Sequence, residues 1–191
     1  MSIAPGNLGQ LDDAALLAIA KRDRAVFAHL YDRHVHQVYR YCDRRLRERE
    51  AAEDATSQTF EKAFASLASC PDEAFRAWLF TIAHNVVVDV QRKHRAQRPL
   101  EEATLVADDE PEPESVLLTA EVVKSVRDLL PQLSSDQRAV IELRLSGLSG
   151  TETMQVLGIS RNVLGARTYR ALARMRTLLV TDEIANQEVP Q

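Results

Sequence analysis

Aromatic residues, glycines and cysteines are all scarce in this chain, and each scarcity closes off a class of structure. Aromatics make up 5% of the 191 residues, with 6 Gly and 7 Pro. That is too few turn formers for a turn-rich all-β sandwich, and it argues against a collagen-like or low-complexity chain. Cys42 and Cys70 belong to no CxxC or His/Cys spacing, which argues against a disulfide framework and against structural zinc, and suits a reducing compartment. No basic stretch followed by an apolar run opens the chain, and the early apolar run from Ala14 to Ala20 is far too short to cross a bilayer. A cytoplasmic location without membrane insertion is therefore expected. His29, His34, His36, His84 and His94 form no HExxH, no triad-like neighbourhood and no partner to a glycine-rich phosphate loop. No catalytic residues, metal or cofactor are expected. Basic residues are outnumbered, 24 Lys+Arg against 28 Asp+Glu for a net charge of −4, and such a balance on its own discourages a nucleic-acid reading.

Hydrophobic residues at 45% and charged residues at 27% lie in the globular range, and the length allows one ordinary domain or two small ones with a linker. Charge is distributed unevenly. Between Arg98 and Lys124 there is no Lys or Arg, while Glu101, Glu102, Asp108, Asp109, Glu110, Glu112, Glu114 and Glu121 all fall there, with Pro111 and Pro113 among them. This composition resists helix and buries too little apolar surface to order itself alone. Residues 97–117 therefore read as an acidic flexible linker, whose stretch from about Gln97 to Ser115 can at about 3.3 Å per residue separate two domains by up to roughly 55–60 Å.

Upstream, apolar residues recur at helical spacing in ALLAIA, in Val26/Phe27/Leu30/Tyr31, in Val35/Val38/Tyr39/Cys42, in Phe60/Ala63/Phe64/Leu67 and in Phe75/Trp78/Leu79/Ile82/Ala83/Val86. The pattern predicts a bundle of about four helices over residues 10–96, with a turn at Ser69 to Glu73. Downstream, Ser134 with Gln137 and Ser149 with Glu152 form capping boxes, Gly147 and Gly158 break the chain, and Ser160 is a further N-cap candidate. Three short-linked helices follow within residues 118–180, leaving 181–191 as a tail. The second and third, about 151–157 and 161–179, are separated by a Gly-Ile-Ser turn, the helix-turn-helix arrangement. The expected fold is thus all-α, with two helical domains.

Along the last helix, Leu164, Thr168, Leu172, Met175 and Leu179 share a narrow arc, and Arg167, Arg170 and Arg174 gather nearly opposite. No acidic residue occurs between Glu152 and Asp182, so Arg161, Arg167, Arg170, Arg174 and Arg176 make a local positive stripe suited to phosphates. Arg161, Asn162 and Val163 occupy the first turn, where Arg can pair with guanine, Asn with adenine, and Val can touch a thymine methyl. The plainer alternative is a solvated basic face.

Upstream lies a second signature. Residues 52–64, AEDATSQTFEKAF, and residues 75–85, FRAWLFTIAHN, followed by Asp89 and the basic Arg92-Lys93-His94-Arg95, resemble the AEDxxQExF and FRxWLxxIAxN motifs of region 2 in sigma-seventy family RNA polymerase sigma factors of the extracytoplasmic-function group. Leu130-Pro131-Gln132-Leu133, Gln137-Arg138, Gly147-Leu148-Ser149, Glu152 and Leu157-Gly158-Ile159-Ser160 are similar to region 4. The resemblance implies an alternative sigma factor in bacterial transcription initiation. Region 2 would dock on the β′ clamp helices of core RNA polymerase and open promoter DNA at the minus-ten element. Region 4 would grip the minus-thirty-five element and the β flap. The docking role falls on Glu53, Asp54, Gln58, Phe60 and Glu61, whose polar members also make a partly acidic helix face. Minus-ten DNA falls to Phe75, Trp78, Asn85, Arg92, Lys93 and Arg95. Phe75 and Trp78, at i and i+3, fit core as well as base platforms, and Asn85 matches a position near the captured base.

Minus-thirty-five DNA falls to Arg161, Asn162, Val163, Arg167, Arg170 and Arg174. The turn from Leu67 to Ala74 resembles the loop that holds the flipped base, and the linker would thread the RNA exit path. An anti-sigma protein or expression level would supply regulation, since no sensory domain is visible after Leu179. The chain departs from the family pattern at Thr59, Thr153-Met154 and Val163-Leu164-Gly165-Ala166; Gly165 alone costs a helix interior about 1 kcal/mol relative to Ala. A polymerase-independent helix-turn-helix regulator is the alternative, and it leaves the upstream motifs unexplained.

Overall fold

A computed structural model of the chain describes residues 5–97 and 128–187, the side chains of 5–7, 95, 97 and 180–187 excepted. The acidic linker, apart from residue 97, lies outside the described residues, as do residues 188–191 of the tail. Those described form helices and turns, in two compact units.

In the first unit, α1 (Asp13–Ala20) starts where the Asp12 carboxylate accepts from the Ala15 N–H at 2.8 Å, satisfying one of the donors a helix start leaves open. A 3-10 turn (Arg24–Val26) leads into α2 (Phe27–Leu46). That helix stops at Arg47, which takes a left-handed conformation at φ 60 and donates its N–H to the Asp43 carbonyl. A non-glycine residue there is strained, and it lets the chain turn back at once into α3 (Arg49–Ala65). After a 3-10 turn (Leu67–Ser69), α4 (Phe75–Gln97) packs against α2 and α3, while α1 lies against α2 and α4. The four expected helices are all present.

Periodicity decides which side chains go inside. On α2, Phe27, Leu30, His34, Val38, Tyr41, Cys42 and Arg45 recur at steps of three and four and are buried, and on α4 Phe75, Leu79, Phe80, Ala83, Val86 and Val87 answer them. Each fully buried large apolar side chain contributes about 1.5–3 kcal/mol. On α3 the buried face is small: Ala52, Ala55, Thr56, Thr59 and Ala63, with Phe60. The two threonines return their hydroxyls to the Ala52 and Ala55 carbonyls at 2.7 Å, so neither hydroxyl is buried unpaired. Cys42 and Cys70 are both buried in this unit, and burial pushes each thiol up to about 11, so both pack as small hydrophobes.

In the second unit, α5 (Ser135–Leu145) starts in the expected capping box, Ser134 and Gln137 bonding each other's backbone N–H. It ends in a Schellman motif. Gly147 at φ +82 donates to the Arg144 carbonyl and Leu148 to the Leu143 carbonyl. The second box, Ser149 with Glu152, opens α6 (Gly150–Leu157), Gly158 at φ +61 ends it, and the Ser160 hydroxyl caps α7 (Arg161–Gln187). The core joins Leu129, Leu130, Leu133 and Ile141 to Ala171 and Met175 of α7, with Leu178 packed against it.

Candidate protein and nucleic-acid interface

With Ala52, Ala55 and Ala63 turned inward, α3 shows its other side to solvent: Glu53, Asp54, Ser57, Gln58 and Glu61 are all exposed and fall within one arc of the helix. Arg49 pairs with Glu53 at 3.0 Å, one turn before it. Phe60 does not join this face. Its ring is 5% exposed and meets Tyr31 edge-on at 4.7 Å and Phe27 at 6.5 Å, so it supports the face from beneath and offers no surface to a partner. The exposed aromatic is one turn further on. Phe64 is 39% exposed, with the Arg24 guanidinium 4.3 Å above its ring and the Arg24 Nη2 donating to its carbonyl at 2.7 Å. Tyr31 is 41% exposed nearby on α2. The motif drew attention to Phe60; the i, i+4 repeat of Phe at 60 and 64 was the available signal for its neighbour.

On α4, Trp78, Thr81, Ile82, Asn85, Val88, Asp89 and Arg92 share one face. Asn85, Val88 and Arg92 are exposed, and Trp78, Thr81, Ile82 and Asp89 are half-buried. Here the sequence expectations converge: an aromatic ring, a bidentate amide and a guanidinium line up along one edge, with Lys93 exposed beside them. Arg92 bonds Asp89 at 3.0 Å, a pair between exposed side chains that contributes about 0–1 kcal/mol and yields readily to a phosphate. Arg95 lies on the same helix, its side chain outside the described residues. Phe75 is the exception. It is 2% exposed and packs against His34 and Trp78, so the core reading is the right one for it. Behind Asn85, the Tyr41 hydroxyl and His84 Nδ1 share a hydrogen bond at 2.9 Å. Burial, reinforced by the Arg45 charge, lowers the His84 pKa to about 4.

The α7 pattern is rotated from the one expected. Leu172 and Leu179 are exposed, while Met175 of the expected arc is buried and the helix packs through it together with Ala171 and Leu178. Small Ala171 lets the helix seat closely, so the core face centres on it and not on the larger leucines. Arg167, Arg170 and Arg174 consequently lie beside the core face, about 40°, 100° and 60° around the helix from Ala171. Arg170 and Arg174 remain exposed, whereas Arg167, 22% exposed in its side chain, pairs with Asp136 of α5 at 2.6 Å. Arg161, Asn162 and Val163 are exposed in the first turn, as expected. The sequence reading passed over Tyr169, which at 75% exposed is the most open large hydrophobic side chain among the described residues of this helix.

Residues 30–97 match sigma-70 region 2, and residues 124–175 match sigma-70 region 4. BldN of Streptomyces coelicolor, an ECF RNA polymerase sigma factor, is 31% identical over 180 residues, spanning 90% of this chain and 68% of BldN. The chain belongs to the ECF sigma factors. Among solved structures, CnrH of Cupriavidus metallidurans in complex with the cytosolic domain of CnrY aligns at a TM-score of 0.69 and 26% identity, covering 89% of this sigma factor and 98% of CnrH. RpoE of Bartonella quintana, in complex with the anti-sigma factor NepR, aligns at 0.66 and 25%, covering 82% and 98%. A sigma factor binds core RNA polymerase, directs it to promoters in transcription initiation and is not itself an enzyme. These relatives give no support to the polymerase-independent regulator. Among the described residues of this sigma factor, no helix is long and apolar enough to cross a membrane.

Proposed function

We propose that this sigma factor divides its work among three surfaces. Glu53, Asp54, Gln58 and Glu61 of α3, with Phe64 at the end of the stripe, form the docking face for the β′ clamp helices of core polymerase. An acidic face with one aromatic contact suits a basic partner groove: its charges steer association, and the ring supplies desolvated area. Trp78, Asn85, Arg92, Lys93 and Arg95 of α4 take the minus-ten element. Opening a duplex needs a surface to stack on, a group that reads an extruded base and cations along the backbone, and α4 presents these in that order. The turn at residues 67–74, which leads into α4, receives the extruded base. Arg161, Asn162 and Val163 read the minus-thirty-five element, and Arg170 and Arg174 follow its phosphates, with the β flap as a second polymerase contact of this unit.

The alignment of half-buried Trp78 with exposed Asn85 and Arg92 on one helix edge is the observation that carries this reading. Promoter opening tests it. Asn85→Ala in the reconstituted holoenzyme slows the appearance of permanganate-reactive promoter thymines while closed-complex binding changes little; reactivity equal to wild type removes Asn85 from the interface. Because RpoE of Bartonella quintana is held by an anti-sigma factor, a protein of that class is also proposed as a regulator here, acting in the cytoplasm where polymerase works.

A further inference from the structure

Lys21 follows the last turn of α1, and its ammonium reaches a part of the chain 49 residues away. Its Nζ donates to the Cys70 carbonyl at 2.6 Å and to the Asp72 carboxylate at 2.6 Å. Both acceptors belong to the turn between α3 and α4. Other bonds of this turn are local: Ser69 Oγ to the Ser66 carbonyl, Cys70 N–H to the Leu67 carbonyl, and Ala74 N–H to the Pro71 carbonyl. Bonds of that range set the shape of a turn but not its place in the unit. Its place is set by the buried Leu67 and Cys70 side chains and, from a distant part of the chain, by Lys21. The two Lys21 contacts differ in weight. Asp72 is 79% exposed, so its ion pair is screened by water; the bond to the Cys70 carbonyl is part-buried, and a charged donor to a carbonyl away from solvent is the stronger kind.

We infer that Lys21 is a positioning residue for promoter reading: through the Cys70 carbonyl it holds the 70–72 turn where the extruded minus-ten base is received. The inference rests on the role proposed above for that turn. A pocket that discriminates bases must hold its groups to within a fraction of an ångström, and a five-residue stretch between helix ends does not do so by local bonds alone. Lys21 touches no DNA in this account. Its charge is already engaged by Asp72 and a carbonyl, and it acts by fixing the backbone that does.

The test uses the full chain in holoenzyme with core polymerase, on promoters that differ by one base of the minus-ten element, reading opening rates by permanganate and closed-complex affinity separately. Lys21→Met lowers the opening-rate ratio between best and next-best base by about tenfold, the scale of one charge-assisted hydrogen bond, and leaves closed-complex affinity unchanged. Lys21→Arg, which keeps the charged donor, retains the wild-type ratio. An unchanged ratio in Lys21→Met overturns the inference, as does a uniform slowing on every promoter, which marks a merely structural tie. Replacing the turn by P71G, D72S and E73G separates the two layers. If that variant loses selectivity while Lys21→Met keeps it, the turn reads the base without Lys21; if it too keeps selectivity, the reading of the turn itself fails.

Discussion

His84 joins burial to a neighbouring charge, and the result is a testable pH dependence. Its pKa falls from 6.5 to about 4 because burial first, and the Arg45 cation second, disfavour the protonated ring. The unfolded chain therefore binds the proton more readily than the folded one. Stability from this group is whole above pH 6.5 and is lost as pH falls toward 4, with a ceiling on the order of 3 kcal/mol. His84→Gln keeps a polar partner for Tyr41 but does not titrate, so the difference in Tm between wild type and variant shrinks with acidification across that window; a difference independent of pH contradicts the assignment. Arg167 and Arg170 make a second contrast at this scale. Arg170 is exposed, and its truncation to Ala lowers the slope of log affinity against log salt by about one unit for minus-thirty-five DNA. Arg167 already engages Asp136, so Arg167→Ala changes the slope by less and shows its effect in the melting of the second unit. Equal slope changes would place both guanidinia on phosphates.

Helix α7 shows what a single element gains and gives up. Gly165 lies inside it with no positive φ, and a Cβ added there meets nothing within 4 Å. Gly165→Ala is accordingly expected to stabilise the second unit by up to about 1 kcal/mol, read as a shift in its denaturation midpoint; no shift, or a loss, would reveal a contact that the open space around residue 165 does not suggest. The same helix marks the boundary of what sequence can tell. Its start was legible because Ser160, like Ser134 and Ser149, acts within three residues of itself, and capping is local chemistry. Its buried face was not, since Ala171 with Leu178 and Leu172 with Leu179 offer rival stripes one position apart, and the choice is made by what α5 presents. Phe60 and Phe64 pose the same ambiguity on α3. There the polar stripe was legible from spacing, while the identity of the exposed ring depended on where Phe27 and Tyr31 of α2 reach. Lys21 was wholly illegible, because its partners lie 49 residues away and are a backbone carbonyl and a surface carboxylate.

Across the molecule, the net charge of −4 describes no surface that does any binding. Acidic residues concentrate in the segment from Glu101 to Glu121 and on the α3 face, whereas the stretch from Thr153 to Thr181 carries none. A chain that must meet both a protein groove and a nucleic-acid backbone is served by this segregation, since each partner responds to potential within about a Debye length of 8–10 Å and not to the sum. The most direct test of the whole account is start-site-specific run-off transcription from genomic promoter fragments, with core polymerase alone, with core plus this sigma factor, and with core plus its Asp54→Lys variant. Defined transcripts with the wild-type protein only, and their recovery when the variant is supplied at about tenfold or greater excess, are the predicted result. Initiation by Asp54→Lys at wild-type concentrations would contradict the docking face, and the absence of any added start site with the wild-type protein would contradict the account as a whole.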